Sequence, residues 1–337
     1  MNPRIFVRIS PPPRVFVQGI CNAAKMSVAL ALPLAPLWRQ IATVTLAGTF
    51  CATQLACGGE IGKAVQAGDL ARVKAILRDD PGAIGERDQY IHATPLYWAG
   101  RDKAMAELLL QRGADPNAQD TSGNAPLMVV ASADVAELLI NAGAYVNATN
   151  SEGDTPLHTA SRADLYDVAE LLLKRGATIE ARDKEGRTPL TLAATFGSHR
   201  VLVLLLDNHS KIETRDNAGR TPLFHAVGRA WPKNYDETVK LLLNRGADIN
   251  AVDKEGWTPI YMACVGVNVD AVRSLLDHGA IPNLKDKLGW TPLYYVEVSR
   301  STTHVPEGDA LMRDVMTKHV NRLDEIIALL KSHGARK

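Results

Sequence analysis

Apolar and polar positions fall into two regimes along the chain. Before residue 60 the apolar residues run together: sixteen positions from Ile41 to Ala56 carry no charge, directly after Arg39, and residues 27–38 are apolar apart from their prolines. From Glu60 onward the pattern breaks into short stripes at helical spacing. Val168, Leu171 and Leu172 mark one face of a helix, and Gly176 ends it where a left-handed residue is wanted. Equivalent runs ending in Gly-Ala or a close variant occupy residues 108–114, 138–144, 171–177, 241–247 and 275–280. Shorter helices are predicted before these runs, each opened by Thr-Pro or Ala-Pro and an aliphatic residue. The prolines are Pro95, Pro126, Pro156, Pro189, Pro222, Pro259 and Pro292, at intervals of 31, 30, 33, 33, 37 and 33. A fixed period of this size means that each unit packs mainly against its neighbours.

Each residue of the opening motif has a physical task. In residues 153–158, Gly153 permits the positive backbone angle of a turn, Thr155 can cap the helix and Pro156 suits its first turn. The same order returns at residues 186–190 and 219–223. After the second helix, Ile179, Ala181 and Asp183 lead out to a projecting loop. These motifs resemble the ankyrin repeat family, over about four fifths of the chain. The resemblance implies an all-α repeat solenoid of helix-turn-helix units joined by projecting β-hairpin loops, across residues 60–337. Residues 64–77, with Gly68 and Asp69, read as a degenerate opening unit, which brings the expected count to about eight helix pairs. Lys63, Gln66, Arg72 and Lys74 supply a polar face for that end, and Leu323, Ile326, Ile327, Leu329 and Leu330 form a closing stripe before Gly334.

Departures from the pattern bear more on function, because the matching residues serve the fold. Unit two has Tyr90, Ile91 and His92 in place of the turn glycine, and unit three has Ala125 in place of the capping threonine. Both are expected to pack less regularly. Unit six carries an insertion at residues 228–236 that includes Trp231 and Tyr235, and unit eight is interrupted at residues 299–321. Within the second interruption, residues 310–320 are helical in pattern, as an extra helix over the end of the stack. Insertions of this kind serve either as plain loops or as recognition elements on one face.

Charge separates the leader from the body. Arg4, Arg8, Arg14, Lys25 and Arg39 precede the first acid, Glu60; the remaining 33 basic residues face 37 acidic ones. A slightly acidic body argues against nucleic-acid binding, which needs a basic face. Residues 1–59 read as a signal peptide or membrane anchor, with Met26 as an alternative start, since a basic flank, an apolar core and small residues are the parts of a secretory signal. Leu55, Ala56, Cys57 and Gly58 resemble the lipobox of bacterial lipoproteins, which makes Cys57 a lipidation candidate. Gln54 departs from that pattern, which has an aliphatic residue three before the cysteine. Cleavage, lipidation and a retained anchor or buried helix all stay open. The leader points to export to the cell envelope, in the periplasm or at a membrane; an unprocessed leader would leave a cytoplasmic regulator or host-directed effector. Cys264, alone in the body, provides neither a disulfide framework nor a thiolate zinc site.

The family resemblance implies a non-enzymatic scaffold that holds a protein partner on a concave face of loop tips and first helices. The positions just before Thr-Pro or Ala-Pro are then the variable ones: Asn124, Asp154, Arg187, Arg220, Trp257 and Trp290, with Tyr90 and His92 at the matching place in unit two. Trp257, Trp290, Arg187, Arg220, Tyr90, His92 and Trp231 are the candidate contacts, since tryptophan and arginine dominate binding hot spots. The alternative is that each indole lies along the neighbouring hairpin and adds only internal packing. Tyr97, Trp98, Phe224, Tyr261, Tyr294 and Tyr295 follow their prolines on first helices and divide between core and groove. No catalytic residue, metal site or cofactor is expected: no histidine pair has zinc-helix spacing, and an enzyme with a cryptic site between units has no supporting motif. His158 stands at the family's Thr-Pro-Leu-His position, where it is structural. The Asp-Lys-Glu-Gly segments at Asp183 and Asp253 read as turns, lacking the oxygen ligands of a calcium loop.

Overall fold

A computed structural model of the chain describes residues 59–228, 235–303 and 310–336. Cys57, Trp231 and the leader up to residue 58 lie outside the described residues. The helices come in pairs, one per unit: α1 (Glu60–Gln66) with α2 (Leu70–Asp79), α3 (Pro95–Trp98) with α4 (Lys103–Gln111), α5 (Pro126–Val129) with α6 (Ala133–Asn141), and α7 (Pro156–Arg162) with α8 (Tyr166–Lys174). The series continues with α9 (Pro189–Phe196) and α10 (His199–Asp207), α11 (Pro222–Val227) and α12 (Tyr235–Asn244), α13 (Pro259–Val265) and α14 (Val269–Asp277), and α15 (Pro292–Thr302) and α16 (Ala310–Ser332). First helices stack on first helices and second on second, so the chain is an all-α solenoid with a two-layer core. No described residue is in a β-strand.

The core is a continuous column that takes the same positions from each unit. Leu157, Leu190, Leu223, Ile260 and Leu293 follow the helix-opening prolines and are all but inaccessible, as are Leu172, Leu205, Leu242 and Leu275 of the second helices. Burying a side chain of this size contributes about 1.5–3 kcal/mol. Side-chain clamps add to the column on the loops after the second helices. Asn117 donates to the Gly143 carbonyl (2.9 Å) and accepts from the Tyr145 N–H (2.8 Å). Asn147 treats Gly176 and Thr178 in the same way, and Asn283 treats Gly334 and Arg336.

Helix capping varies along the stack. Thr155 and His158 form a reciprocal capping box on α7, while Thr188, Thr258 and Thr291 cap α9, α13 and α15. In units two and three neither Thr94 nor Ala125 caps by its side chain, and α3 and α5 have only four residues each. Helices this short are held by packing, since nucleation is unfavourable and few bonds follow it.

The last unit differs from expectation. Residues 310–320 do not form a separate covering helix but run without a break into the closing stripe, making α16 a single helix of 23 residues. A stripe continuing through Val320, Leu323, Ile326 and Leu330 explains the continuity, because all four side chains are buried. Arg300 pairs with Asp324 (2.8 Å) and Lys331 with Glu297 (2.9 Å), fixing α16 against α15.

Candidate partner-binding face

The loop tips are built from one recurring turn. An aspartate opens it, replaced by Asn150 in unit four, and its Oδ1 accepts two backbone N–H groups: for Asp183 those of Glu185 (2.9 Å) and Arg187 (2.8 Å), for Asp253 those of Glu255 and Trp257, for Asp286 those of Leu288 and Trp290. The aspartate's own N–H donates to the carbonyl of the residue that closes the turn, as from Asp286 to Trp290 (2.9 Å). A left-handed glycine sits between. Gly256, at φ +82°, has the next tip so close that a Cβ there would lie 3.1 Å from the Lys287 nitrogen, so glycine is required twice over. In unit two the left-handed position falls to His92, at φ +54°. His92 is exposed and its carbonyl accepts from Arg87 Nη1 (2.8 Å), a backbone role that its sequence position did not disclose.

Successive tips are hydrogen-bonded to one another. Ser151 donates to the Ser122 carbonyl, Lys184 to Glu152, Asn217 to Glu185, Lys254 to Ala218 and Lys287 to Glu255, all at 2.9–3.0 Å. Arg182 and Arg215 each bridge two backbone carbonyls, one on their own tip and one on the approach to the next. Neither arginine was singled out from the sequence; the available signal was Arg-Asp at the same register in units two, five and six. The tips therefore form one bonded row rather than independent loops.

Against this common backbone the turn-closing side chains differ. Arg187, partly buried, pairs with Asp183 (2.7 Å) and Glu185 (2.8 Å), and Arg220 pairs with Asp253 of the following tip (3.3 Å). Asn124 bonds to Asp120 and Asn150, and Asp154 to Arg162 (2.8 Å). Trp257 and Trp290 are half-buried. Trp257 stacks on Tyr261 of its own first helix, with centroids 5.1 Å apart and 13° between the planes. Trp290 meets Tyr294 edge-on at 5.0 Å. Both pairs are four residues apart, each joining the residue before the capping threonine to the third residue of the helix, a spacing readable in the sequence. Tyr90 is 53% exposed at the first tip.

The first-helix aromatics divide sharply. Tyr97, Phe224 and Tyr261 are buried, Trp98 and Tyr295 are intermediate, and Tyr294 is 38% exposed. Tyr261 donates its hydroxyl to Asp286 Oδ2 (3.0 Å), which ties the seventh unit to the tip that opens the eighth. Burial, and then the Asp286 carboxylate, push the Tyr261 phenol well above its ordinary value. In the fourth unit, His158 does the equivalent work. Its Nδ1 accepts from the Thr155 N–H (3.1 Å) while Nε2 faces the Arg187 carbonyl (3.1 Å), an arrangement that requires the proton on Nε2. Burial holds the His158 pKa below the usual histidine value. In the sixth unit, burial raises the Asp216 carboxyl, but the His225 hydrogen bond (2.8 Å) and backbone donors outweigh it and leave the pKa below the ordinary range.

No three histidine, cysteine or acidic side chains among the described residues are placed to hold a metal ion. No helix among them is long and apolar enough to cross a membrane. No curated protein matches the chain. The family model for ankyrin repeats (3 copies) matches at residues 61–150, 98–183, 179–253 and 228–305. Helix pairs stacked in two layers, Thr-Pro openings and the bonded row of tips agree with that match, and the chain belongs to the ankyrin repeat family.

Proposed function

We propose that the chain is a non-enzymatic scaffold that holds a protein partner on its tip and first-helix face, centred on Trp257 and Trp290. Ankyrin repeats are generally protein–protein interaction modules, so binding of some protein follows from the family. The assignment to this end of the face rests on one observation: both indoles are braced on tyrosines of their own units and only partly covered. Aromatic side chains held in place before binding lose little conformational freedom when a partner arrives. Arg187 and Arg220, engaged with carboxylates, then act chiefly as supports, while Tyr90 and His92 form a separate exposed tip.

A pull-down with the double variant Trp257→Ala and Trp290→Ala is the test. The expected result is loss of the captured partner with the helical signal intact; retention of every partner at full strength would remove the assignment. For the leader the proposal is export to or across a membrane, supported by the charge-free run after Arg39. Mass spectrometry of the natural N-terminus decides it. An intact Met1 or Met26 contradicts export, and an acylated Cys57 establishes a lipoprotein.

A further inference from the structure

The charge of the tip row changes sign along its length. At the first three tips (residues 87–94, 119–125 and 149–155) Arg87 is the one basic residue against four acids, with histidine neutral. At the last four (182–188, 215–221, 252–258 and 285–291) eight lysines and arginines face six acids. The solvent-facing imbalance is larger than that count. Asp183, Asp253 and Asp286 are buried under their own turns, with Oδ1 bonded to backbone and Oδ2 to Arg187, Arg220 and Tyr261 respectively. Lys184, Lys254, Lys285 and Lys287 are exposed, and no carboxylate among the described residues pairs with them. The basic stretch coincides with the aromatic one: Lys254 lies three residues before Trp257, and Lys287 three before Trp290. Leu288, 64% exposed, adds apolar surface beside them.

We propose that the occupant of this surface is an acidic protein segment carrying a large apolar side chain, its carboxylates set against Lys254, Lys285 and Lys287. The proposal rests on the partner-binding reading above and gives that partner its chemistry. An indole on a tip that also carries lysine favours apolar contact at the centre and opposite charge at the rim, the usual division of labour in an interface. The sign change along the row also orients the segment: its acidic part lies over units seven and eight and not over units two to four.

Selection of displayed random short peptides on the full chain tests the proposal. Enriched peptides should carry net negative charge and at least one Phe, Leu, Ile or Trp. Their binding should weaken about tenfold in the Lys254→Glu, Lys287→Glu double variant and on raising the salt concentration. Lys211→Glu, on a loop after a second helix, should leave it unchanged. Peptides that need Trp257 and Trp290 but are basic or uncharged, or that ignore the charge reversal, overturn this inference and leave the binding face standing. Peptides that bind independently of both tryptophans, or no enrichment at all, overturn both. Self-association abolished by the charge reversal, or selective capture of phosphatidylserine vesicles, would assign the surface to a second copy or to lipid and also overturn the proposal.

Discussion

The tips that open units five and six share a backbone with those that open units seven and eight, yet their closing side chains do opposite things. Arg187 and Arg220 turn inward to buried aspartates and consolidate the row. Trp257 and Trp290 rest on Tyr261 and Tyr294 and are only half-buried. One turn geometry therefore supports two uses, and the difference lies in whether the last side chain finds its partner within the row. A repeat protein can specialise one stretch in this way because neighbouring units supply the rest of the fold.

The largest expected effect tests how far the common backbone carries both regions. Asp286→Ala removes the acceptor of two backbone N–H groups and of the Tyr261 hydroxyl, and should cost about 3 kcal/mol in urea unfolding. Asp183→Ala should cost a similar amount. The pair separates on binding: both variants lose stability, but capture of the partner should fall with Asp286→Ala and hold with Asp183→Ala. A finer cut comes from Tyr261→Phe, which keeps the stacked ring and removes only the hydroxyl bond. A loss of about 1 kcal/mol with binding retained is expected; a loss of binding equal to that of Trp257→Ala would mean the tether, not the ring, matters. Arg187→Gln should be smaller still, about 0.5–1 kcal/mol in stability, with capture of the partner unchanged.

How much of this was legible in the sequence differs between scaffold and face. The phased prolines were enough for the stack, because each reports a local event, a helix start with fixed geometry. The tips' consolidation was not legible, since Arg220 meets Asp253 and Tyr261 meets Asp286 across repeat boundaries, 33 and 25 residues apart. Interrupted unit eight shows the converse. Local pattern read residues 310–320 as a helix correctly, but whether it joined the closing stripe depended on the packing of Val320. The sequence does not single out His92 from Tyr90 and Ile91 as the left-handed residue, because no glycine marks the position and the turn has one extra residue. Trp257 with Tyr261 and Trp290 with Tyr294 could have been paired from their spacing; which rings were covered could not.

The smallest expected effect concerns pH. His158 has a folded pKa below its unfolded value near 6.5, so the unfolded chain binds more protons between the two. Its contribution is complete above about 6.5 and is lost as the pH falls toward the folded value. A second proton would have to enter at Nδ1, where the Thr155 N–H already points. His158→Gln should flatten that part of the stability profile, measured by urea unfolding between pH 7.5 and about 5. Asp216 acts lower: its contribution is present above the ordinary carboxylate range and disappears as the pH drops through its folded value.

Site-specific photo-crosslinking in native cells tests the central claim most directly. A photoreactive residue at position 288, beside Trp290, and another at position 184, beside the Arg187 tip, sample the two kinds of tip in otherwise identical protein. The expected result is a covalent protein adduct from position 288 that Trp257→Ala with Trp290→Ala abolishes, and a far weaker one from position 184. Equal capture at both positions, or capture at 184 alone, would contradict it.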